Sequence, residues 1–504
     1  MGDELFAGVD VGTTNTKAII FDLSGRPVAH AAVPTPTDRP RSGWAQHDPE
    51  QLWEAAVSAL RAALAEVEDP AAVRGVAVAS MAEAGVPLDE RGRPTYDVIA
   101  WFDPRTAEQG RRFVEAVGAE RLAALTGLRP QPIYSVCKLR WLAEHEADAF
   151  ARTRSWLHVA DFIAYRLSGE QATDHSLASR TAALDLNHLT WSEELLAAAE
   201  LPASVLAPLV WAGTRLGSVT DDAATATGLP ADAAVAAGGH DHVCGALGAA
   251  VIDAGRALDS MGTAESILVP TRRAPTGGHP LRQRYSCGAH VVADRWYLSG
   301  GVHAAGASVD WILDLLAGGE ERDRLLADAA DVPPGALGVG FLPDLRGGDG
   351  TGVARSALMG LRPDVGAPAL VRGVLEGLAF AFRNALETVV EHATHDGGAE
   401  VRAIGGGARN DLLLRIKATV LGRPVWRVRT EEATGRGAAL LGAVGAGLFP
   451  DAVTAADSLE LQLDEVAPDH DRVDDYQARY EAVTAADYQA LRSVSQRLAE
   501  LADR

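Results

Sequence analysis

The sequence predicts a layered α/β protein with two large domains, and three observations carry that prediction. Short apolar runs alternate with segments of helical spacing along the chain, the pattern of sheets covered by helices. The 504 residues are enough for two domains, each with its own core. A hairpin signature near the start, Asp10-Val-Gly-Thr-Thr-Asn-Thr, is echoed in the second half by Ser260-Met-Gly-Thr-Ala-Glu-Ser266.

Taken in order, residues 5–11 and 17–22 are apolar runs around a polar, hydroxyl-rich turn. That predicts a β-hairpin, with Gly12 supplying the backbone freedom of a tight turn. Successive backbone N–H groups, with the hydroxyls of Thr13 and Thr14, can surround phosphate oxygens. Asp10 at the strand end is placed to hold Mg²⁺ through water. An ordinary hairpin with a Gly-Thr turn is the plain alternative. A helix is predicted over 51–68 and a strand over 76–80.

Val235-Ala-Ala reads as a strand, and Gly238-Gly239 lets the backbone approach a ligand. His240-Asp241-His242 follows, then a small-residue run over 245–250 that predicts a tightly packed helix. An aspartate at a strand-to-helix switch suits a general base for a sugar hydroxyl. The flanking histidines invite a metal reading. Neighbours in an extended segment point to opposite faces, however, and no second His/Cys pair with ligand spacing accompanies them, so structural zinc is not expected.

In the second Gly-Thr turn, between apolar flanks at 256–258 and 267–269, Ser260 stands where the first has Asp10. One metal-binding hairpin and one plain phosphate clamp, built on Gly262 and Thr263, would account for that. A long helix is predicted over 371–393. A strand at 401–404 runs into Gly405-Gly-Gly-Ala-Arg-Asn410 and a helix over 411–421. These glycines let the chain lie flat against a nucleobase or ribose beside a helix N-terminus. The tail over 473–501 is apolar at helical spacing, through Tyr476, Tyr480, Val483, Tyr488 and Leu491, and predicts a helix packed on the body. The domain boundary is expected near Ile252, giving domains 1–251 and 252–504 with ligands in the cleft between them.

Several classes are excluded or disfavoured. No G-x-x-x-x-G-K-[ST] is present, Asn410 breaks the dinucleotide fingerprint, and the protein-kinase motif set is missing. A formal net charge of −22 argues against nucleic acid and anionic membranes as partners. Cys137, Cys244 and Cys287 are unclustered, which disfavours a disulfide framework and favours a reducing cytoplasm. No stretch reaches transmembrane length and no signal peptide is expected.

The ordered set extends to Asp161-Phe-Ile, Leu167-Ser-Gly169, Thr173-Asp-His-Ser-Leu-Ala-Ser-Arg-Thr181 and Trp191. It continues through Arg372-Gly-Val-Leu-Glu-Gly377, Leu421-Gly-Arg-Pro-Val425 and Gly437-Ala-Ala-Leu-Leu-Gly-Ala443. Over nearly its whole length the chain resembles the FGGY carbohydrate kinase family of the actin/hexokinase/Hsp70 superfamily. The resemblance implies two ribonuclease H-like (actin-like ATPase) domains and ATP with Mg²⁺ as cofactors. It implies phosphorylation of a small-molecule ketopentose, ketohexose, polyol or sugar acid, and, by family analogy only, a homodimer.

Carried over residue by residue, the resemblance makes Asp241 the general base and Asp10, with Asp241, the Mg²⁺-associated carboxylates. Gly12, Thr13, Thr14, Lys17, Gly262 and Thr263 would meet phosphates, and Gly306, Asp310, Gly406, Gly407 and Asn410 the rest of the nucleotide. The sugar would meet Met81, Ala82, Glu83, Trp101, Asp103, Asp241 and His242. In that set Glu83 accepts two hydroxyls, Trp101 packs on the carbon face, and Asp103 fixes hydroxyls with Arg105 orienting it. Departures stand out. Lys417 and Thr419 replace the Gln and Asp of glycerol kinases, and Asp310 replaces a frequent Gln. Ala82 and Ile133 replace the Arg and Tyr of the glycerol pocket, and Ala82 also replaces the histidine of xylulokinases. The competing readings are a chaperone-like or non-catalytic ATPase of the same fold, a sugar-responsive repressor and a sugar sensor. Glu83, Trp101 and Asp103 argue against the first. The repressor would need a DNA-binding extension before the strand of Asp10, and the acids Asp10 and Asp241 argue against the sensor.

Overall fold

The computed structural model describes residues 4–274, 285–302, 304–319, 321–343, 355–393, 398–430, 432–484, 493–494 and 497. They fall into two compact units: residues 1–254, 270–298 and 432–461 form the first, and 255–269, 299–431 and 462–504 the second. The first switch between units in the chain is thus at 254/255, and two later segments return to the first unit.

The first unit is organised on a six-stranded sheet. Its strands are β1 (Leu5–Val11), β2 (Asn15–Asp22), β3 (Pro27–Pro34), β4 (Val73–Ser80), β5 (Arg215–Ser218) and β6 (Ala234–His240). Their order is β5-β6-β4-β1-β2-β3, with β6, β4 and β1 mutually parallel and β2 and β3 antiparallel additions. Buried on both faces, β1 and β4 read as the continuous apolar runs expected of central parallel strands.

One face is covered by helices Pro49–Leu64 and Val159–Ser168, which supply Leu52, Ala56, Leu60, Phe162 and Ile163 to the core. Helix Ala433–Gly445 also packs on this sheet, unusually closely. A Cβ on Gly8 would lie 1.9 Å from the Gly435 carbonyl oxygen, and one on Gly75 would lie 2.3 Å from that of Gly442. The same helix meets helix Asp241–Gly248 through Gly437 against the Cys244 carbonyl, and through Ala433 against Gly248. The small-residue runs of the sequence therefore pack on each other.

The second unit uses β7 (Arg256–Met261), β8 (Glu265–Thr271), β9 (Trp296–Val302), β10 (Glu400–Ile404), β11 (Val425–Val428) and β12 (Leu463–Val466). They are six of the seven strands of one sheet, in the order β12-β11-β10-β7-β8-β9 with strand Ser286–Ala289 beyond β9; β11, β10 and β7 are parallel and β8 is antiparallel to β7. From β12 to β8 this repeats the plan of the first unit from β5 to β2. Helices Ala367–Ala393 and Asp411–Leu421 accompany it, and helix Val473–Thr484 carries the buried Tyr476 and Tyr480. The Tyr476 hydroxyl donates to Glu376 at 2.8 Å and accepts from Arg372 at 2.9 Å, which ties that helix down. Tyr488 and Leu491 of the expected tail lie outside the described residues. No described helix is long and apolar enough to cross a membrane.

Candidate active site

The parallel strands of the first sheet end level with one another. Val11 of β1 pairs with Ser80 of β4, and Ser80 pairs with His240 of β6. Three acids therefore sit together at the carboxyl ends of adjacent strands: Asp10 in β1, Glu83 just after β4 and Asp241 just after β6. Crevices at carboxyl ends are where open α/β sheets bind ligands.

Asp241 is the first residue of helix Asp241–Gly248, whose N-terminal dipole favours its ionised form. Both neighbouring imidazoles face its Oδ1, the His240 Nε2 at 3.1 Å and the His242 Nε2 at 4.0 Å. The His242 backbone N–H donates to the same oxygen at 2.6 Å. Burial alone would push this carboxyl up, yet His242 and the His240 hydrogen bond together hold it down to about 2. One ligand atom from each of the three side chains lies within 4.8 Å of the others, so the histidines do converge, unlike neighbours in an extended segment. The helix start breaks the alternation.

Asp10 is shifted in the opposite direction. Burial, and next the nearby Asp241 carboxylate, push it up to about 7, with Lys17 working against them. Lys17, opposite Asp10 in the hairpin register, is paired with Glu432 at 3.0 Å. The hairpin turn carries Thr13 and the exposed Thr14, and the Trp101 indole N–H donates to the Thr13 hydroxyl at 3.1 Å. Gly12 departs from expectation: its φ is not left-handed, and its small size matters because a Cβ would come 3.1 Å from the Asn15 carbonyl oxygen.

Glu83 occupies a strained position, with φ 62° and a tight turn closed by the Ala84 N–H donating to the Ala82 carbonyl at 2.8 Å. The buried Met81 and Ala82 lead into it. Its Oε1 accepts from Arg180 Nε at 2.6 Å and lies 2.5 Å from Arg180 Nη2. Arg180 in turn lies over the Tyr134 ring at 5.5 Å.

The segment that carries Arg180 also props the base. Asp174, buried and pushed up to about 6, caps the short helix His175–Ala178. The Ser176 hydroxyl donates to Asp174 at 3.0 Å and accepts the His240 backbone N–H at 2.9 Å. The glycines before the base serve the scaffold rather than a ligand. A Cβ on Gly238 would lie 1.7 Å from the Val78 carbonyl oxygen, and one on Gly239 would lie 2.9 Å from the Ser176 hydroxyl.

Asp103 is corrected. Its side chain is inaccessible to solvent and bonded to the Ala45 N–H at 2.6 Å and to Arg105 at 2.7 and 2.9 Å. Both carboxylate oxygens are thus engaged inside the protein, and Asp103 orders the Trp101 loop instead of fixing hydroxyls. Arg180, Ser176, Asp174 and Tyr134 received no role from the sequence. Their signal lay in the run 173–181, noted as a pattern and not as chemistry.

In the second unit the expected nucleotide residues gather around the β7–β8 turn. Gly306 lets helix Ala305–Leu316 touch it, since a Cβ there would lie 2.3 Å from the Gly262 carbonyl oxygen, and the Ala307 N–H donates to the Thr263 carbonyl at 3.1 Å. Gly405 and Gly407 pack against Met261, at 2.8 and 2.9 Å from the positions of their absent Cβ atoms, while Gly406 faces open space. Two residues differ from expectation. The Asn410 side-chain carbonyl caps helix Asp411–Leu421 by accepting the Leu413 N–H at 3.0 Å. Asp310 is exposed and paired with Arg322 at 2.8 Å. Lys417, the departure from glycerol kinases, is fully buried between Asp259 at 2.6 Å and Glu265 at 3.0 Å. It therefore belongs to the core.

Comparison with known proteins gives the family and the fold. Residues 5–248 match the N-terminal domain, and residues 257–446 the C-terminal domain, of the FGGY family of carbohydrate kinases. A glycerol kinase of Citrifermentans bemidjiense is 31% identical over 90% of this chain and 92% of its own. A xylulose kinase of Bacillus subtilis is 29% identical over 88% of each chain. The crystal structure of a xylulose kinase from Rhodospirillum rubrum superposes with a TM-score of 0.88 at 30% identity, covering 99% of this chain and 100% of that one.

Proposed function

From the premise that the chain belongs to the FGGY family of carbohydrate kinases, and is thus a phosphotransferase with an alcohol acceptor using ATP and Mg²⁺, we propose that it phosphorylates a hydroxyl of a ketose or related polyol with Asp241 as general base. The observation that carries this reading is the convergence of Asp10, Glu83 and Asp241 at adjacent strand ends, with the two aspartates shifted in opposite directions. Asp241 is held ionised at about 2, whereas Asp10 is pushed up to about 7. Two residues of one charge type with divided states are the mark of divided roles.

Asp241 Oδ takes the proton of the acceptor hydroxyl as its oxygen bonds to the terminal phosphorus and ADP leaves. The helix N-terminus and the two histidines orient that carboxylate. His242, on the exposed side of the base, is placed to meet a substrate hydroxyl, and Glu83 offers its second oxygen to another. Trp101, about one-third exposed at 38%, stays available for an apolar sugar face while tying its loop to Thr13.

The residues also fit a divalent cation. Burial and, next, the Asp241 carboxylate raise the proton affinity of Asp10, and an ion of charge two would displace that proton. Asp10 and Asp241 would hold Mg²⁺ through its water, and the ion when bound neutralises charge developing between phosphates. Cation affinity accordingly rises with pH through about 7 as the competing proton leaves.

The test is sugar-dependent ADP release with Mg-ATP across ketopentoses, ketohexoses, polyols and aldonates, with Asp241→Asn beside the wild type. One strong substrate whose turnover falls by about 10²–10⁴-fold in the variant is expected, with ATP binding retained. Near-normal turnover of Asp241→Asn would sink the base. Sugar-independent ADP release unaffected by the substitution would favour an ATPase of the same fold.

A further inference from the structure

We infer that His240, Asp241 and His242 form an exchangeable site for a borderline-soft divalent transition metal, with Zn²⁺ as its type, and that an ion held there silences Asp241. The site stands on its own geometry, and only the silencing rests on the kinase reading above.

Three ligand atoms of suitable kinds already face one another. Asp241 Oδ1 lies 3.1 Å from His240 Nε2 and 4.0 Å from His242 Nε2, and all three atoms are within 4.8 Å of one another. Around a tetrahedral zinc ion with bonds of about 2.0–2.1 Å, neighbouring ligand atoms stand about 3.3 Å apart. The edge from His240 to Asp241 is therefore already set, and a swing of the His242 ring closes the rest. That ring has the freedom to swing, since its side chain is 43% exposed against 12% for His240. The two imidazoles meet edge to face at 89° with centroids 5.5 Å apart, so a common ion does not force them into stacking contact. The switch from β6 to helix Asp241–Gly248 is what gathers three consecutive side chains on one side. Among the described residues no other three His, Cys, Asp or Glu side chains bring their ligand atoms this close.

The donor set chooses the metal. Two imidazoles and a carboxylate suit Zn²⁺ and its neighbours, whereas Mg²⁺ takes oxygen ligands and keeps its water, so the Mg²⁺ supplied with ATP does not compete for the imidazoles. Three protein ligands leave a fourth position to water, the form of an open site and not of a structural one. The surroundings set the strength. His240 Nδ1 is buried without a partner among the described residues, so no acceptor orients that ring from behind. Such partners are typically worth about 10–100-fold in affinity. The site accordingly loads and empties, with a dissociation constant on the order of micromolar. While an ion sits on Oδ1 it draws on the electron pairs of the carboxylate, which then no longer takes a proton from an acceptor hydroxyl.

The first measurement is metal binding to the full chain without ATP and with Mg²⁺ in excess, by Zn²⁺ calorimetry and by the visible absorption of Co²⁺. One ion per chain is expected. His240→Ala and His242→Ala should each weaken binding by at least about tenfold. His188→Ala removes an exposed histidine paired with Asp185 at 2.9 Å and should leave binding unchanged. X-ray absorption of the zinc-loaded wild type should count two imidazoles, and this decides even where a variant fails to fold. No saturable binding, fewer than two imidazoles, or binding that neither His240→Ala nor His242→Ala weakens overturns the site. In sugar-dependent ADP release, Zn²⁺ should lower wild-type turnover by at least about tenfold, and a zinc-selective chelator should restore it. A loaded site with turnover intact overturns the silencing. So does an equal fractional loss in His242→Ala, which would mean zinc acting on the nucleotide. Absence of any sugar-dependent ADP release in metal-free protein with Mg-ATP sinks the kinase reading instead, and leaves the binding result to decide the site.

Discussion

In the first unit the β1–β2 hairpin carries its acid, Asp10, part-exposed and opposite Lys17 in the register; in the second, β7–β8 carries two acids, Asp259 and Glu265, fully buried around Lys417. The strand plans match, and the turns differ by one residue: Val11 pairs with Thr16 in the first, and Met261 with Glu265 in the second. The counterpart of Asp10 is Ser260, and its neighbour Asp259 points to the other face of the sheet because side chains alternate along a strand. A shift of one position thus separates an acid available to chemistry from one locked in a core. Burial pushes Asp259 up despite Lys417, and pushes Glu265 up to about 7. The second hairpin spends its charges on holding its two strands to helix Asp411–Leu421.

The largest effect that tests this contrast is Lys417→Met. It strands two buried carboxyl groups and should cost about 3–5 kcal/mol in urea unfolding. Both acids stay protonated in the folded variant and ionise on unfolding, so the loss should grow as pH rises from about 5 to 8. Restoring stability by adding Asp259→Asn and Glu265→Gln would complete the case, and an unchanged midpoint in Lys417→Met would break it.

Next in size is Gly306→Ala. Its Cβ would drive into the Gly262 carbonyl, and a loss of about 1–3 kcal/mol is expected, with KM for ATP raised. Gly406→Ala, facing open space, should leave the melting temperature unchanged. Equal behaviour of the two variants would refute the close approach of helix and hairpin.

The smallest effect sharpens the first hairpin. Asp10 binds a proton in the folded protein up to about pH 7 and in the unfolded chain only up to about 4, so it lowers stability progressively across that window and fully above it. In the absence of Mg²⁺, Asp10→Asn should melt higher than wild type at pH 8 by a margin that shrinks towards pH 5. A margin independent of pH would mean that Asp10 is not held protonated.

Much of this was legible because it is local. The two hairpins, the strand-to-helix switch at Asp241, the glycine shelf before Asp411 and the long helices follow from apolar period and turn residues. What sequence reasoning misjudged depends on partners distant in the chain. Asp103 looks like a ligand for hydroxyls until Ala45 and Arg105 engage both its oxygens. Gly238 looks made for a ligand until strand β4 takes the space. Arg180 carried no local signal because its meaning is the charge of Glu83, 97 residues earlier. Lys417 looked like an altered nucleotide contact, and only the sheet shows the acids it faces.

Helix Ala433–Gly445 has one more consequence. The helix that starts with the base rests on Gly437, and Arg436 closes its far end by donating Nε–H to the Gly248 carbonyl at 2.7 Å. This partner is translated last among the pieces of the first unit, which takes residues 432–461 only after residues 299–431 have been made for the second. At roughly 5–20 residues per second, a ribosome needs about 7–27 seconds to cross those 133 residues. Through that time the sheet bearing Asp10 lacks a cover over Gly8 and Gly75. The nascent first unit thus waits, apolar face open, for a late-made helix, and the interval is one in which a holding chaperone would matter.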